Sequence, residues 1–136
     1  MTSKVIYLGG LRTEAEHLKS GTKIVTDAPT DNNGKGEAFS PTDLVATALG
    51  SCMMTIMGIA ARNHEIDMDG TALTVNKVME SDPRRIGKIE IVITMPTNDY
   101  SKKERKILEA AARGCPVGST IKEGIEDLKI VWHDDK

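Results

Sequence analysis

Apolar residues at the start of this chain come in short runs broken by glycine. Lys4–Leu8 is rich in β-formers and closes on Gly9-Gly10; Arg12–Leu18 alternates loosely and closes on Ser20-Gly21; Thr22–Asp27 ends at Ala28-Pro29. Short runs at this spacing predict an antiparallel meander. The next segment, TDNNGKGEAFS, is dense in Asn, Asp and Gly and predicts a loop.

The rhythm changes at Ser40-Pro41-Thr42-Asp43. Ser40 is placed to cap a helix, Pro41 to occupy its first position and Asp43 to close a capping box. The uncharged stretch behind them predicts a helix to about Arg62 or Asn63. Its apolar residues (Leu44, Val45, Leu49, Met53, Met54, Ile56, Met57 and Ile59) do not keep to one stripe but run all the way round. Such a helix must be covered on every side. One small sheet covers one face only, and in so short a chain the remaining cover is expected from a second subunit. The pattern therefore predicts an obligate homodimer.

Beyond a turn at Asp67–Gly70, LTVNKVM and RIGKIEIVITM predict a pair of strands joined through Asp82-Pro83. In the second strand Ile89, Ile91, Ile93 and Met95 share one face, with Lys88, Glu90 and Thr94 opposite. Pro96 stops it. Ser101 and Glu104 form a second capping box, opening a helix whose Ile107, Leu108, Ala111 and Ala112 share a face and which Gly114 ends. DLKIVWH closes the chain as a strand. The predicted order is β-β-β-α-β-β-α-β, a single α+β domain over residues 1–136 with neither repeat nor linker.

Composition narrows the function classes. A net charge of −2 gives no cationic footprint for nucleic acid or an acidic membrane, and 3% aromatic residues leave no base-stacking platform. Residues 44–61 just reach the length of a minimal membrane span, but Thr47, Gly50, Ser51, Thr55 and Gly58 dilute them, and no aromatic belt flanks them. The N-terminal residues carry no secretory pattern, so a cytoplasmic protein with no membrane partner is expected.

The chemistry rests on two cysteines, which in a reducing compartment are free thiols more often than a structural bridge. Cys115, in GCPVGST, follows the helix-ending Gly114 and precedes Pro116, which favours the start of another short helix. That position puts the thiol at a helix N-terminus, where backbone N–H groups favour the thiolate; the plainer reading is a free buried cysteine. Cys52 lies mid-helix, and at helical offsets it faces Ala48, Leu49, Thr55, Ile56 and Ile59. Burial alone would make it inert, so reactivity needs a nearby cation from elsewhere. Arg12, Arg84 and Arg85 are the candidates. His17, His64 and His133 show no ligand spacing with each other or with either cysteine, so no metal is expected.

FSPTDLVATALGSCM resembles the helix that bears the first cysteine in the OsmC/Ohr family, the osmotically induced and organic-hydroperoxide-resistance proteins. GCPVGST resembles that family's second-cysteine motif. TDAPTDNNGKGEAFSPTDL is similar to the loop entering the first helix in its OsmC-like branch. The likeness runs over nearly the whole chain, in the same element order.

The resemblance implies an OsmC-like fold, with antiparallel sheets wrapped around central helices in an intertwined homodimer. It implies a thiol peroxidase acting on organic hydroperoxides: Cys52 becomes a sulfenic acid, Cys115 condenses with it to a disulfide, and an external dithiol, lipoyl-type in better-known members, restores both thiols. No bound cofactor is implied. The family sets an arginine on the thiolate, for which Arg12 is the best positional match, and a glutamate on that arginine. The glutamate directly follows the proline in the family, where this chain has Thr42; Asp43 and Glu37 are the candidate replacements. Asp43, nine residues before Cys52, lies on the opposite face of the helix. The alternative reading is a non-enzymatic redox sensor or apolar-ligand binder on the same fold, suggested by Met53, Met54, Met57 and Met68 near Cys52.

Overall fold

The computed structural model describes residues 1–135; Lys136, the last residue of the expected domain, lies outside them. The chain forms two compact units, Met1–Val45 and the residues from Ala46 onward.

In the first unit β1 (Ser3–Gly9), β2 (Arg12–His17) and β3 (Lys23–Asp27) form the expected antiparallel meander, in the order β1-β2-β3. The turn between β1 and β2 is tight: Gly9, Gly10 and Leu11 all have positive φ, at 84°, 62° and 61°. Glycine takes this conformation without cost, whereas Leu11 does not. The Leu11 amide donates to the Tyr7 hydroxyl at 3.2 Å and its carbonyl accepts from the Ala28 amide at 3.0 Å, which hold it there. Apolar side chains on both faces of this sheet are exposed, among them Val5, Ile6, Tyr7, Leu8 and Ile24.

The helix α1 (Pro41–Asn63) begins as expected, with the Ser40 hydroxyl accepting from the Asp43 amide and the Asp43 carboxylate from the Ser40 amide, both at 3.0 Å. By length and composition α1 could cross a membrane, a test that the core helix of a soluble protein also meets. Ala46, Leu49, Met53, Met57 and Ala61 are buried, while Val45 and Ile59 are exposed. One stripe of the all-round apolar helix is therefore covered within the chain and part of the rest is not.

The second unit holds the core. β4 (Ala72–Glu80), β5 (Arg85–Thr94) and β6 (Glu126–Val131) make a sheet in that order. β4 and β5 are antiparallel, but β6 pairs with β5 in parallel, so this sheet is mixed rather than antiparallel as expected. The reason is the connection. A parallel neighbour needs a long crossover, which here consists of α2 (Lys102–Arg113) and an additional short helix, α3 (Pro116–Thr120). α3 is the short helix expected at Pro116, which the predicted element order leaves out. Ile89, Ile91, Ile93 and Met95 are buried together with Leu49, Met53, Met57 and Leu108. Each such side chain contributes about 1.5–3 kcal/mol of hydrophobic stabilisation. α1 can lie close to β4 because residue 50 is glycine: a Cβ there would sit 2.9 Å from Leu73 Cδ1 and 3.1 Å from Val75 Cγ2.

Candidate functional site

Cys115 is the cap residue of α3, and its Sγ accepts a hydrogen bond from the Gly118 amide at 3.3 Å. It is fully buried, whereas Cys52 is half-buried in the middle of α1 and packs against the same core. Both are free thiols, and Cys52 lies near enough to Cys115 to act on its proton. Two residues more than sixty positions apart in sequence thus meet inside the second unit.

The helix-terminal position of Cys115 does not produce a ready thiolate. Burial is the largest influence and pushes the thiol above its ordinary range; the Gly118 amide opposes this, while Cys52 and the charge of Glu126 add to it. Desolvation outweighs one backbone hydrogen bond, so of the two readings from sequence the structure favours the free buried cysteine over the helix-stabilised thiolate. Around the pair, packing is close at one point in particular. A Cβ on Gly118 would lie 3.1 Å from Cys115 Sγ, 3.1 Å from Glu126 Oε1 and 3.6 Å from Leu49 Cδ1. Glycine at 118 lets the thiol of α3, the carboxylate at the head of β6 and the α1 residue one turn before Cys52 converge.

Arg12 sits in the first unit, opposite Asp27 on the neighbouring strand. Its Nε donates to Asp27 Oδ1 at 2.7 Å and its Nη2 to Oδ2 at 2.8 Å, a two-point pairing. Asp27 is fully buried, and its Oδ2 also accepts from the Glu37 amide at 3.1 Å. The Glu37 carboxylate reaches Arg12 only at 3.5 Å and is itself exposed. Hydrogen bonding to Arg12 holds the Asp27 carboxyl below its ordinary range against the opposing effect of burial, and the same bond raises Arg12. The loop that brings Glu37 here folds tightly on Ala28: the Gly36 amide donates to the Ala28 carbonyl, and a Cβ on Gly34 would lie 1.7 Å from that oxygen.

The carboxylate on Arg12 is therefore Asp27, which sequence reasoning missed, with Glu37 in a lesser role. Asp43 is occupied in its capping box. A signal for Asp27 existed. A turn centred between Lys19 and Ser20 places Arg12 opposite Asp27, which is the register observed. Glu126 was missed too, although it falls in phase with Leu128 and Ile130 on the half-buried face of β6. Of the other candidate cations, Arg85 is engaged in the hairpin, donating to Glu80 at 2.6 Å and to the Ser81 and Pro83 carbonyls. Arg84 is exposed in the same turn. Met53 and Met57 belong to the core rather than to a ligand surface. Among the described residues no group of three or more His, Cys, Asp or Glu side chains could hold a metal ion.

Residues 34–126, including both cysteines, match the family model described as OsmC-like protein. The chain belongs to the OsmC-like family. It is 52% identical to a candidate osmotic-stress-induced and detoxification-response protein from Psychrobacter arcticus, whose crystal structure superposes with a TM-score of 0.89 over 98% of this chain and 96% of that one. An organic hydroperoxide resistance protein, OsmC, from Legionella pneumophila is 21% identical, with a TM-score of 0.68 over 97% of this chain and 96% of that one. Another organic hydroperoxide resistance protein, from Elizabethkingia anophelis, is 16% identical, with a TM-score of 0.70 over 97% and 95%. The last two share the OsmC fold. No curated protein sequence matches the chain.

Proposed function

We propose that this OsmC-like protein, read as one domain over residues 1–136, is a thiol peroxidase that reduces organic hydroperoxides. The observation that carries the reading is the meeting of two reduced cysteines, one half-buried and one fully buried, on a fold shared with organic hydroperoxide resistance proteins. In this reading the Cys52 thiolate attacks the terminal peroxide oxygen. An S–O bond forms, the O–O bond breaks, and the alkoxide leaves as alcohol after taking a proton. The Cys52 sulfenic acid then condenses with Cys115, releasing water and leaving a disulfide. An external dithiol, lipoyl-type by family resemblance, restores both thiols, with no resident cofactor or metal. The cation that the family sets on the thiolate is assigned to Arg12 by resemblance alone, and the carboxylate that holds Arg12 is Asp27 where the family has a glutamate. Apolar groups around Cys52, such as Ile56, favour an alkyl chain on the peroxide.

The exposed apolar residues of the first sheet and of α1 support a homodimer, because a three-stranded sheet apolar on both faces needs further cover. The setting is cytoplasmic, with no nucleic-acid or membrane partner. One equivalent of cumene hydroperoxide is expected to remove both thiols from the reduced protein, with Cys52→Ser consuming none. Survival of both thiols, or turnover by that variant, would sink the proposal. The competing reading, a redox sensor or apolar-ligand binder, draws on an open groove of about 390 Å³ past Thr55, Ile59, Ile66 and Met68. Slow oxidation of Cys52 with saturable fatty-acid binding favours it; rapid turnover with dihydrolipoamide excludes it.

A further inference from the structure

Glu126 stands at the start of β6, paired with Ile89 of β5 and in phase with Leu128 and Ile130. Its Oε1 is buried and has no hydrogen-bond partner among the described residues. Buried carboxylate oxygens are nearly always satisfied, so an orphan calls for an explanation. The surroundings offer one. Oε1 and Cys115 Sγ are each 3.1 Å from the point where a Cβ on Gly118 would stand, and that glycine leaves no side chain between them.

Cys115 is kept as a thiol by burial and by its neighbours. A thiol is a poor nucleophile, so its proton must leave as the sulfur attacks. The ionisable groups that act on it are Cys52 of α1 and Glu126 of β6; its own short helix contributes only the Gly118 amide. Cys52 is the electrophile of that step and cannot take the proton.

We propose that Glu126 is the proton relay for disulfide closure, accepting the Cys115 proton and returning it to the departing oxygen. The step rests on the peroxidase reading for the identity of oxidised Cys52. The Cys115 sulfur attacks the Cys52 sulfur, the S–S bond forms and the S–OH bond breaks. The thiol proton passes to the Glu126 carboxylate and then to the leaving hydroxide, giving water. Cys115 sulfur is oxidised by one electron-equivalent and Cys52 sulfur reduced by one, so no further reagent is needed.

The test separates the two chemical steps. Reduced protein is mixed with cumene hydroperoxide and quenched over time; dimedone traps Cys52 sulfenic acid, and mass spectrometry counts the Cys52–Cys115 disulfide. Glu126→Gln is expected to reach the sulfenic acid at the wild-type rate and to close the disulfide about a hundredfold more slowly, the low end of the ~10²–10⁴ that general acid–base catalysis provides. A closure rate equal to or faster than wild type overturns the relay. A carboxylate that only raised the thiol's pKa would give the faster rate on removal.

A second arm dispenses with peroxide. Ellman's reagent caps the more exposed Cys52, and Cys115 then expels the second thionitrobenzoate as it closes the disulfide. If peroxide leaves wild-type Cys52 untouched yet Glu126→Gln slows this release, the peroxidase reading fails and the relay stands. Glu126→Asp, which draws the carboxylate back, is expected to fall between the two rates and carries the test should Glu126→Gln lose its circular-dichroism signal. Wild-type closure by Glu126→Asp would then refute the relay.

Discussion

Gly118→Ala adds a single methyl where three elements converge, and the sign of its effect is set by the geometry. Residue 118 lies within α3, and its φ is not positive, so the backbone accepts alanine. Helix propensity favours the change by up to about 1 kcal/mol, less in a helix of one turn. Burying a methyl adds ~0.8 kcal/mol. Against this stand two contacts of 3.1 Å, one to Cys115 Sγ and one to Glu126 Oε1, with a third at 3.6 Å to Leu49 Cδ1. Neither close atom can swing away freely: the sulfur belongs to a fully buried residue and the oxygen is itself buried. Overpacking of this kind costs about 1–3 kcal/mol. The balance is a loss of about 1 kcal/mol, which for a chain of this size lowers Tm by roughly 3–4 °C. On the proposed cycle the functional effect is larger than the thermal one, because the methyl displaces the sulfur that closes the disulfide, and small misplacements of reacting atoms can cost ~10²-fold. Differential scanning calorimetry reads the first effect, and quenched-flow counting of the Cys52–Cys115 disulfide reads the second. A variant that melts at or above wild type and closes its disulfide at the wild-type rate would refute both the packing and the placement of the thiol.

Three further outcomes are expected. Asp27→Asn removes the charge from a buried two-point pairing and lowers Tm; because that carboxyl titrates below its ordinary range, its contribution is full above that range and fades as pH falls through it, so the variant and wild type converge in melts run towards acid. At the alkaline end the sign reverses. The folded protein holds the Cys115 proton more tightly than the unfolded chain, so stability is full below the ordinary thiol range and declines as pH rises through it; Cys115→Ser, which does not titrate there, shows a smaller fall in urea midpoint between about pH 7 and 10. Light scattering should give twice the 14.7 kDa chain mass, and Ile59→Lys, exposed in the single chain and so tolerable there, should shift it towards the monomer; a wild-type mass of one chain would refute the dimer.

Local rhythm makes most elements legible. The Gly9-Gly10 and Ser20-Gly21 turns that end the first strands, the two capping boxes and the alternation of Ile89, Ile91 and Ile93 each depend on neighbours within a few residues, and each appears where the pattern places it. The parallel pairing of β6 is not legible, because strand direction depends on how far the intervening chain travels, and α3 lengthens that crossover. The chemistry of Cys115 is hidden for a related reason. A helix N-terminus is visible in Gly-Cys-Pro, but the burial that outweighs it comes from a core assembled from residues far off in sequence, Leu49 and Met53 of α1 among them. Asp27 escapes a reading that seeks the partner of Arg12 in the helix-entry loop, because strand register, not that loop, brings the two together.

The two carboxylates that the sequence did not disclose make a useful contrast. Asp27 is fully buried, yet both its oxygens accept hydrogen bonds from Arg12, and one also from the Glu37 amide. Its desolvation is offset where it stands, which makes it a fixed anchor for the Arg12 guanidinium. Glu126 has a buried oxygen without such an offset. A net loss of about 1–3 kcal/mol for an unsatisfied group is a large share of a total stability of roughly 5–15 kcal/mol. Glutamine at this place would keep the volume and shed the charge; leucine would extend the apolar face begun by Leu128 and Ile130. A carboxylate set beside a buried thiol fits a group whose partner arrives during the proposed reaction: a proton moving from sulfur to oxygen.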